Sequence, residues 1–432
     1  MGIRKHHAVA VAALAATAGL AVAAPGREGD PDFYATPRVP PGTRTIELGR
    51  GDSLKRAMAE AMPGDVIELR SGTYPAPKGA SLGRSGRPDA WITIRAAKGT
   101  RPVIDLAGGE LQLSSSYVLL EGVEVVNGTG NNIHVVPPNG RTPITHIIIR
   151  GVRSADMGRG TGAALKIAGL WNNGHGAPAE QIYVEDCDLS GSRDNAIVDA
   201  VGVRRSVVRG CWLHDPVKIA MRSPGIFFKG GSSEILIERN LVSGIHGNPA
   251  IMVGGDTGAK WFDGLHAAPK VEGVNEVVRG NIIADEDDAA VELRGAVGVQ
   301  VLSNTIVTRS TFAVFRFTWG GSGSGVKIGN QDVLIANNLV IASGAAYALN
   351  DGNADVSVRF GPQLWAGRFA GARGPGMPSF PQGEDRVVDH ADLGALVAST
   401  NDAGLHGIAD AVARFTPLPG SPAGFGALER PR

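Results

Sequence analysis

A short β-rich frame recurs eight times through the middle of the 432-residue chain, and a chain built that way folds by stacking copies of one unit. Each copy has an apolar residue, two mostly polar or small residues, an anchor that is Asn, Cys or Val, a spacer, and usually another apolar residue. The anchors are Val123, Val152, Cys187, Cys211, Asn240, Asn281, Asn304 and Asn338, separated by 29, 35, 24, 29, 41, 23 and 34 residues. A minimum of 23 with variable additions describes one coil of fixed size carrying loops of different length. Inside the coils, apolar and polar residues alternate with the two-residue period of a strand, without the fixed leucine or helix patterns of other repeat families. The expected fold is therefore all-β, a parallel β-helix solenoid whose coils stack about 4.8 Å apart.

Composition agrees and narrows the alternatives. The chain has 61 glycines, enough for frequent turns, but they lack the three-residue period of collagen, and 43% hydrophobic residues is too many for a disordered chain. With 42 basic and 42 acidic residues the formal charge is zero, so the bulk balance argues for neither a nucleic-acid nor a membrane-surface partner. Residues 1–23 read as a signal peptide: Arg4 and Lys5 precede an apolar run, Ala8 to Ala23, that ends in Ala21-Val22-Ala23. That run is about 16 residues, short of the roughly 20 that span a bilayer. Cleavage leaves 40 basic against 42 acidic residues and a formal charge of −2. A secreted or periplasmic monomer is expected, with a β-helix and its N-terminal cap over 24–350 and a C-terminal segment, 351–432, packed along its side.

Two details concern the scaffold. Cys187 and Cys211, the only cysteines, fall at the same frame position in consecutive coils. They stack as buried small side chains or, as the alternative, form a disulfide. Asp52 or Ser53 can cap a short helix running through Met62, with Leu54, Ala57, Met58 and Ala61 on one face. Such a helix would cover the open end of the solenoid, where bare strand edges invite aggregation.

On these features the chain resembles the right-handed parallel β-helix superfamily of pectate-lyase-like proteins. Asn240, Asn281, Asn304 and Asn338 match that superfamily's ladder of inward asparagines. The stretch PGDVIELRSGTY is similar to the opening of many secreted β-helix polysaccharide lyases, ITIRAAKGTRPVID to their next coil, and FTPLPGSPAGFG to a common closing motif. The resemblance covers nearly all of residues 32–426 and implies a scaffold, which by itself hosts many reactions.

Chemistry is read from a second strand in each coil. Aligning Ala164–Ala168, Ala196–Ala200, Gly225–Lys229, Ala250–Gly254, Ala290–Arg294 and Ala313–Phe317 places Lys166, Phe227, Glu292 and Phe315 outward, followed by Lys229, Gly254 and Arg294 two places later. Lys229 and Arg294 then share an outward column about 10 Å apart, with Gly254 leaving room for a sugar between them. Asp199 and Arg316 fall in inward slots, where a bulge or a functional exception is expected. A cationic column suits β-elimination from a uronate polysaccharide, which needs a base for the C5 proton and a cation for the charge that develops on the carboxylate. A lysine serves as base when burial or neighbouring cations lower its pKa. Lys229 lies in GIFFKGGS, which resembles the lysine-bearing segment of family-nine pectate lyases, and the resemblance makes Lys229 the base, with Arg294 stabilising the carboxylate. It also implies Ca²⁺ in an aspartate cluster one to two coils earlier, for which Asp186, Asp194 and Asp199 are the candidates, with Asp188 nearby.

Expected substrate contacts are Lys166, Glu292, Arg316, His246 and the aromatics Trp261 and Phe262. The last two lie in the long insertion from Gly254 to Lys270, which also holds Asp256, Lys260, Asp263 and His266. His214 and His246 follow coil anchors and are candidate proton shuttles, and the acidic run Asp285–Asp288 is a second candidate calcium loop. The leading expectation is a lyase acting on an acidic polysaccharide. The alternatives are C5-epimerisation, a noncatalytic carbohydrate-binding protein, and hydrolysis by paired carboxylates, which the isolated Gly174-His175-Gly176 disfavours.

Overall fold

The computed structural model of the chain describes residues 30–138, 142–169, 177–217, 224–257, 271–321, 327–350 and 356–374, with short pieces between and beyond them up to 427. The expected signal peptide (residues 1–23), Gly174-His175-Gly176 and the centre of the long insertion, with Trp261 and Phe262, lie outside the described residues.

Each coil carries three strands on three faces. In one coil, Ile144–Arg150 lies on the first face, the chain turns at Gly151-Val152 on to Arg153–Ser154 on the second, and Leu165–Ala168 forms the third; the next coil opens with Ala179–Glu185. Neighbouring coils pair in parallel on every face, as in Ile149 with Val184, Ser154 with Leu189, and Leu165 with Val198. Alternate residues of each strand point inward, so one core runs along the axis, including Ile67, Ile94, Leu120, Ile149, Val184 and Ile237 from the first face. The fold is the expected right-handed parallel β-helix.

Buried asparagines hold the corner between first and second faces. Asn240 Nδ2 donates to Asn281 Oδ1 at 3.0 Å, Asn281 to Asn304 at 2.9 Å, and Asn304 to Asn338 at 2.9 Å. Each of these amides also donates to a backbone carbonyl, such as Val278 O for Asn304, so the buried polar groups are satisfied. The ladder continues through Gln363, whose Oε1 accepts from Asn338 at 3.0 Å. Below it sit Cys187 and Cys211, both free and buried, so the stacked-thiol reading holds and the disulfide does not form. Burial pushes the Cys211 thiol well above its ordinary pKa.

The ends are closed differently. The helix α1 (Leu54–Glu60) is capped by Ser53, whose side chain accepts from the Arg56 amide, and ends slightly earlier than expected. It buries Leu54, Ala57 and Met58 against the first coils. At the other end, the boundary expected after 350 falls inside the solenoid, because Val356–Phe360, Leu364–Arg373 and Arg386–Val388 add further parallel strands. A second helix, α2 (Ile408–Phe415), then packs Ala411 and Phe415 against Leu241, Ile282 and Leu339 on the second face.

The outer surface of the first face carries a ladder of alternating charge. Paired residue by residue, Glu68, Arg95, Glu121, Arg150, Glu185, Arg209, Glu238 and Arg279 follow one another from coil to coil. The N-terminal segment lies across its later members. Asp30 pairs with Arg279 at 2.6 Å, Thr36 donates to Glu185, and the Tyr34 carbonyl accepts from Arg209. Tyr34 also packs with Ile148, Tyr183, Val207 and Leu236.

Candidate active site

The third face presents an outward column fixed by the register: Ser81, Gln112, His134, Lys166, Asp199, Phe227, Met252, Glu292 and Arg316, one per coil. A second position along, Val201 pairs with Lys229, and Gly254 with Arg294. Two inward slots expected for charged residues are thereby corrected. Asp199 pairs with Lys166 and Phe227, and Arg316 with Glu292, so both belong to the outward column. Phe315 and Phe317 are the inward residues of that last strand. The loops entering these two strands differ by one residue from the assumed alignment, and one residue is enough to exchange inside for outside.

This shift brings two lysines on to one carboxylate. Lys166 Nζ pairs with Asp199 Oδ2, and Lys229 Nζ lies 3.1 Å from Oδ1. The Lys229 contact is the longer and looser of the two, with its Coulombic part larger than its hydrogen-bonding part. The Asp199 side chain is only 3% exposed, while both lysines are 20% exposed. Burial would raise the Asp199 pKa, but the two ammonium groups outweigh it and hold the carboxyl below its usual range. For Lys229 burial is the largest influence and lowers the pKa; Lys166 adds repulsion, and Asp199 opposes both without cancelling them. The Lys229 Nζ also sits 3.9 Å from the centre of the Phe227 ring.

The surroundings of Lys229 are held by a buried glutamate. Glu272 accepts from the Gly230 amide at 2.9 Å and from the Thr257 amide at 2.8 Å, anchoring the segment Gly255–Thr257. A side chain at Gly255 would begin 3.0 Å from the Phe227 ring and 3.1 Å from Lys229 Cβ. The expected sugar-sized gap beside Gly254 is therefore crossed by the chain itself, and the Lys229 amine turns back toward Asp199. Arg294 is fixed in turn: it pairs with Asp256 and donates from Nε to the Trp319 carbonyl at 3.1 Å.

The remaining expected residues separate. Glu292 is completely buried, accepting from Thr318 Oγ1 at 2.9 Å and facing Arg316 Nη1 at 3.4 Å, so it positions Arg316 and does not meet a ligand directly. Arg316 lies over the Phe312 ring, 4.9 Å from its centre. His246 stands on the corner before Ile251–Gly254, at the opposite edge of the face from Lys229, near Asp287 at 3.7 Å and Asp285 at 4.0 Å. His214 belongs to the second face, with both ring nitrogens engaged, by Asp188 at 2.9 Å and Asp215 at 2.8 Å, which leaves no nitrogen for shuttling protons.

The calcium ligands do not assemble. Among the described residues no three His, Cys, Asp or Glu side chains gather as a metal site. Asp199 is engaged by two ammonium groups, Asp186 sits at the corner of the first face beside Glu185, and Asp194 lies in the loop ahead of Val198. The same holds for Asp285–Asp288, whose Asp285 pairs with Arg309. These residues do not fit a Ca²⁺ ion.

One pair escaped the sequence reading. His134 Nδ1 bonds Glu110 Oε2 at 2.9 Å, one coil from Lys166, and Glu110 also accepts from Asn131 at 2.7 Å. The segments Leu111–Leu113 and Ile133–Val135 alternate inward and outward like the later third-face strands, and extending that alignment toward the N-terminus would have found both residues.

No protein-family model matches the sequence, and no curated protein matches it. Solved structures match the fold. Pectate lyase Pel9A is 16% identical with a TM-score of 0.50, the match covering 91% of this chain and 98% of that one. A family PL6 polysaccharide lyase from Pseudopedobacter saltans is 12% identical with a TM-score of 0.47, over 82% and 95% of the two chains. A GH136 lacto-N-biosidase from Eubacterium ramulus is also 12% identical with a TM-score of 0.47, over 80% and 68%. The chain thus shares the right-handed parallel β-helix fold of Pel9A.

Proposed function

We propose that this chain is a secreted or periplasmic lyase that cleaves a uronate-containing polysaccharide by β-elimination, with Lys229 as the base. The observation that carries the reading is the sharing of Asp199 by Lys166 and Lys229 on an outward face. One carboxylate neutralises one ammonium. The cluster therefore favours either loss of a proton from the looser lysine or arrival of an anion, and a uronate substrate makes use of both. Neutral Lys229 takes the C5 proton as the C5–H bond breaks. The electron pair spreads on to the C6 carboxylate, where the Lys166 ammonium stabilises it; Arg294, held by Asp256 and the Trp319 carbonyl beyond the Gly255–Thr257 segment, takes no part in this step. The electron pair then forms the C4–C5 double bond as the C4–O4 bond breaks, and O4 leaves as an alcohol with a proton from water. The fold of Pel9A and the export-type segment at residues 1–23 support the same reading.

The test is incubation of the purified chain with pectate, alginate, glucuronan and glycosaminoglycans while following the absorbance of the 4,5-unsaturated uronate. Growth of that band with one polymer is the expected result. Exchange of the C5 proton without chain cleavage would move the reading to an epimerase, and new reducing ends without unsaturation to a hydrolase.

A further inference from the structure

The third-face column does not stop at Lys166. It continues through His134 and Gln112 to Ser81, and Ser81, Gln112 and Glu110 line a cleft of about 570 Å³ beneath α1, together with Lys55, Lys78 and Thr129. Such a volume holds a sugar unit comfortably. Part of its wall is bare backbone: a side chain at Gly109 would begin 2.0 Å from the Gly79 amide nitrogen, and one at Gly130 would begin 2.5 Å from Glu110 Oε1. Polar groups of two kinds converge there. Lys55 and Lys78 supply positive charge, while Glu110, Ser81, Gln112 and Thr129 suit hydroxyl groups. Glu110 is held in place by Asn131 and His134, and the His134 Nε2 atom has no hydrogen-bond partner among the described residues.

We infer that this cleft is a distal subsite of an acidic polysaccharide groove that runs along the solenoid axis, taking one sugar per coil from the Lys166–Asp199–Lys229 cluster to α1. The inference rests on the polysaccharide reading above and adds where the chain lies. A 1,4-linked uronate advances about 5 Å per sugar, close to the coil spacing of about 4.8 Å, so sugars and coils stay in step. Four coil steps separate Ser81 from Asp199, roughly 19 Å, which places the cleft about four sugars from the reacting bond. Lys55 and Lys78 bind the carboxylate of that sugar, and the polar groups around Glu110 take its hydroxyls.

The test is the double variant Lys55→Gln, Lys78→Asn in the full chain. Both side chains are exposed, and asparagine tolerates the positive φ of 67° at position 78, so the fold is kept. On an octasaccharide of the polymer that the wild-type chain cleaves, KM rises about tenfold with kcat unchanged, whereas kinetics on a trisaccharide do not move. Equal effects at both lengths, or none at either, overturn the groove and leave the lyase reading intact. If the wild-type chain cleaves no uronan, affinity electrophoresis through pectate, alginate and glucuronan gels reads the groove alone. Retardation of the wild type, relieved in the variant, supports the groove without catalysis; equal mobility of the two refutes it.

Discussion

Charge is arranged on the first and third faces of the same solenoid in opposite ways. On the first face eight charged residues alternate in sign, from Glu68 to Arg279, so that each interior member has an opposite charge in both adjoining coils. The later members are buried, and residues 30–36 close over them. On the third face Asp199 serves two lysines at once, and its surroundings stay partly open. A fully compensated column is a structural device: it tolerates burial because every charge is matched. A column with one ammonium in surplus is unfinished, and a substrate carboxylate or a departing proton completes it.

The contrast can be broken at chosen points. The largest effect is expected from Arg209→Met in the first-face ladder, which leaves Glu185 and Glu238 buried without their shared partner. Chemical denaturation should show a loss of about 3–5 kcal/mol, with activity per folded molecule unchanged. The third face should respond to Asp199→Asn in the pH profile instead. Asp199 is the main influence keeping the proton on Lys229, against burial and Lys166, so its removal lowers the lysine pKa further. The rising limb of kcat/KM, which follows the free amine, should move to lower pH by about one unit. Movement to higher pH would contradict the assignment of Asp199. The groups facing Lys229 in this argument are Lys166, Asp199 and Glu272, and only the second is changed. The smallest effect belongs to Arg95→Ala at the exposed start of the ladder, where the side chain is 42% open: less than about 1 kcal/mol in the same unfolding assay.

The sequence made the scaffold legible because the ladder residues repeat as letters. Asn240, Asn281, Asn304 and Asn338 stand at one frame position and bond one another as that position requires. Gln363 escaped because it does the same work with a different side chain, although it follows Asn338 by 25 residues, a spacing the frame allows. The alternating ladder was also written in the frame, two residues before the first six anchors, as Glu121, Arg150, Glu185, Arg209, Glu238 and Arg279. Its sign alternates between coils, so it emerges only when the coils are compared in pairs. The third face was harder to read. Loops of variable length enter its strands, so a one-residue error turned Asp199 and Arg316 inward and hid the link between Lys166 and Lys229. That charged residues fell in core slots was nonetheless the sign of the error. Lys229 was recognisable from its local segment; its partners came from coils 30 and more residues away in sequence.

The most direct test of the central claim separates turnover from binding at Lys229. Wild type and Lys229→Ala should be compared on the responsive uronan, for release of unsaturated product and for retardation in a gel containing the polymer. If Lys229 is the base, elimination falls about 10³-fold while the polymer is still bound and the unfolding midpoint is kept. Elimination at the wild-type rate by the variant would contradict that role and return the lysine pair to the structural class of the first-face ladder.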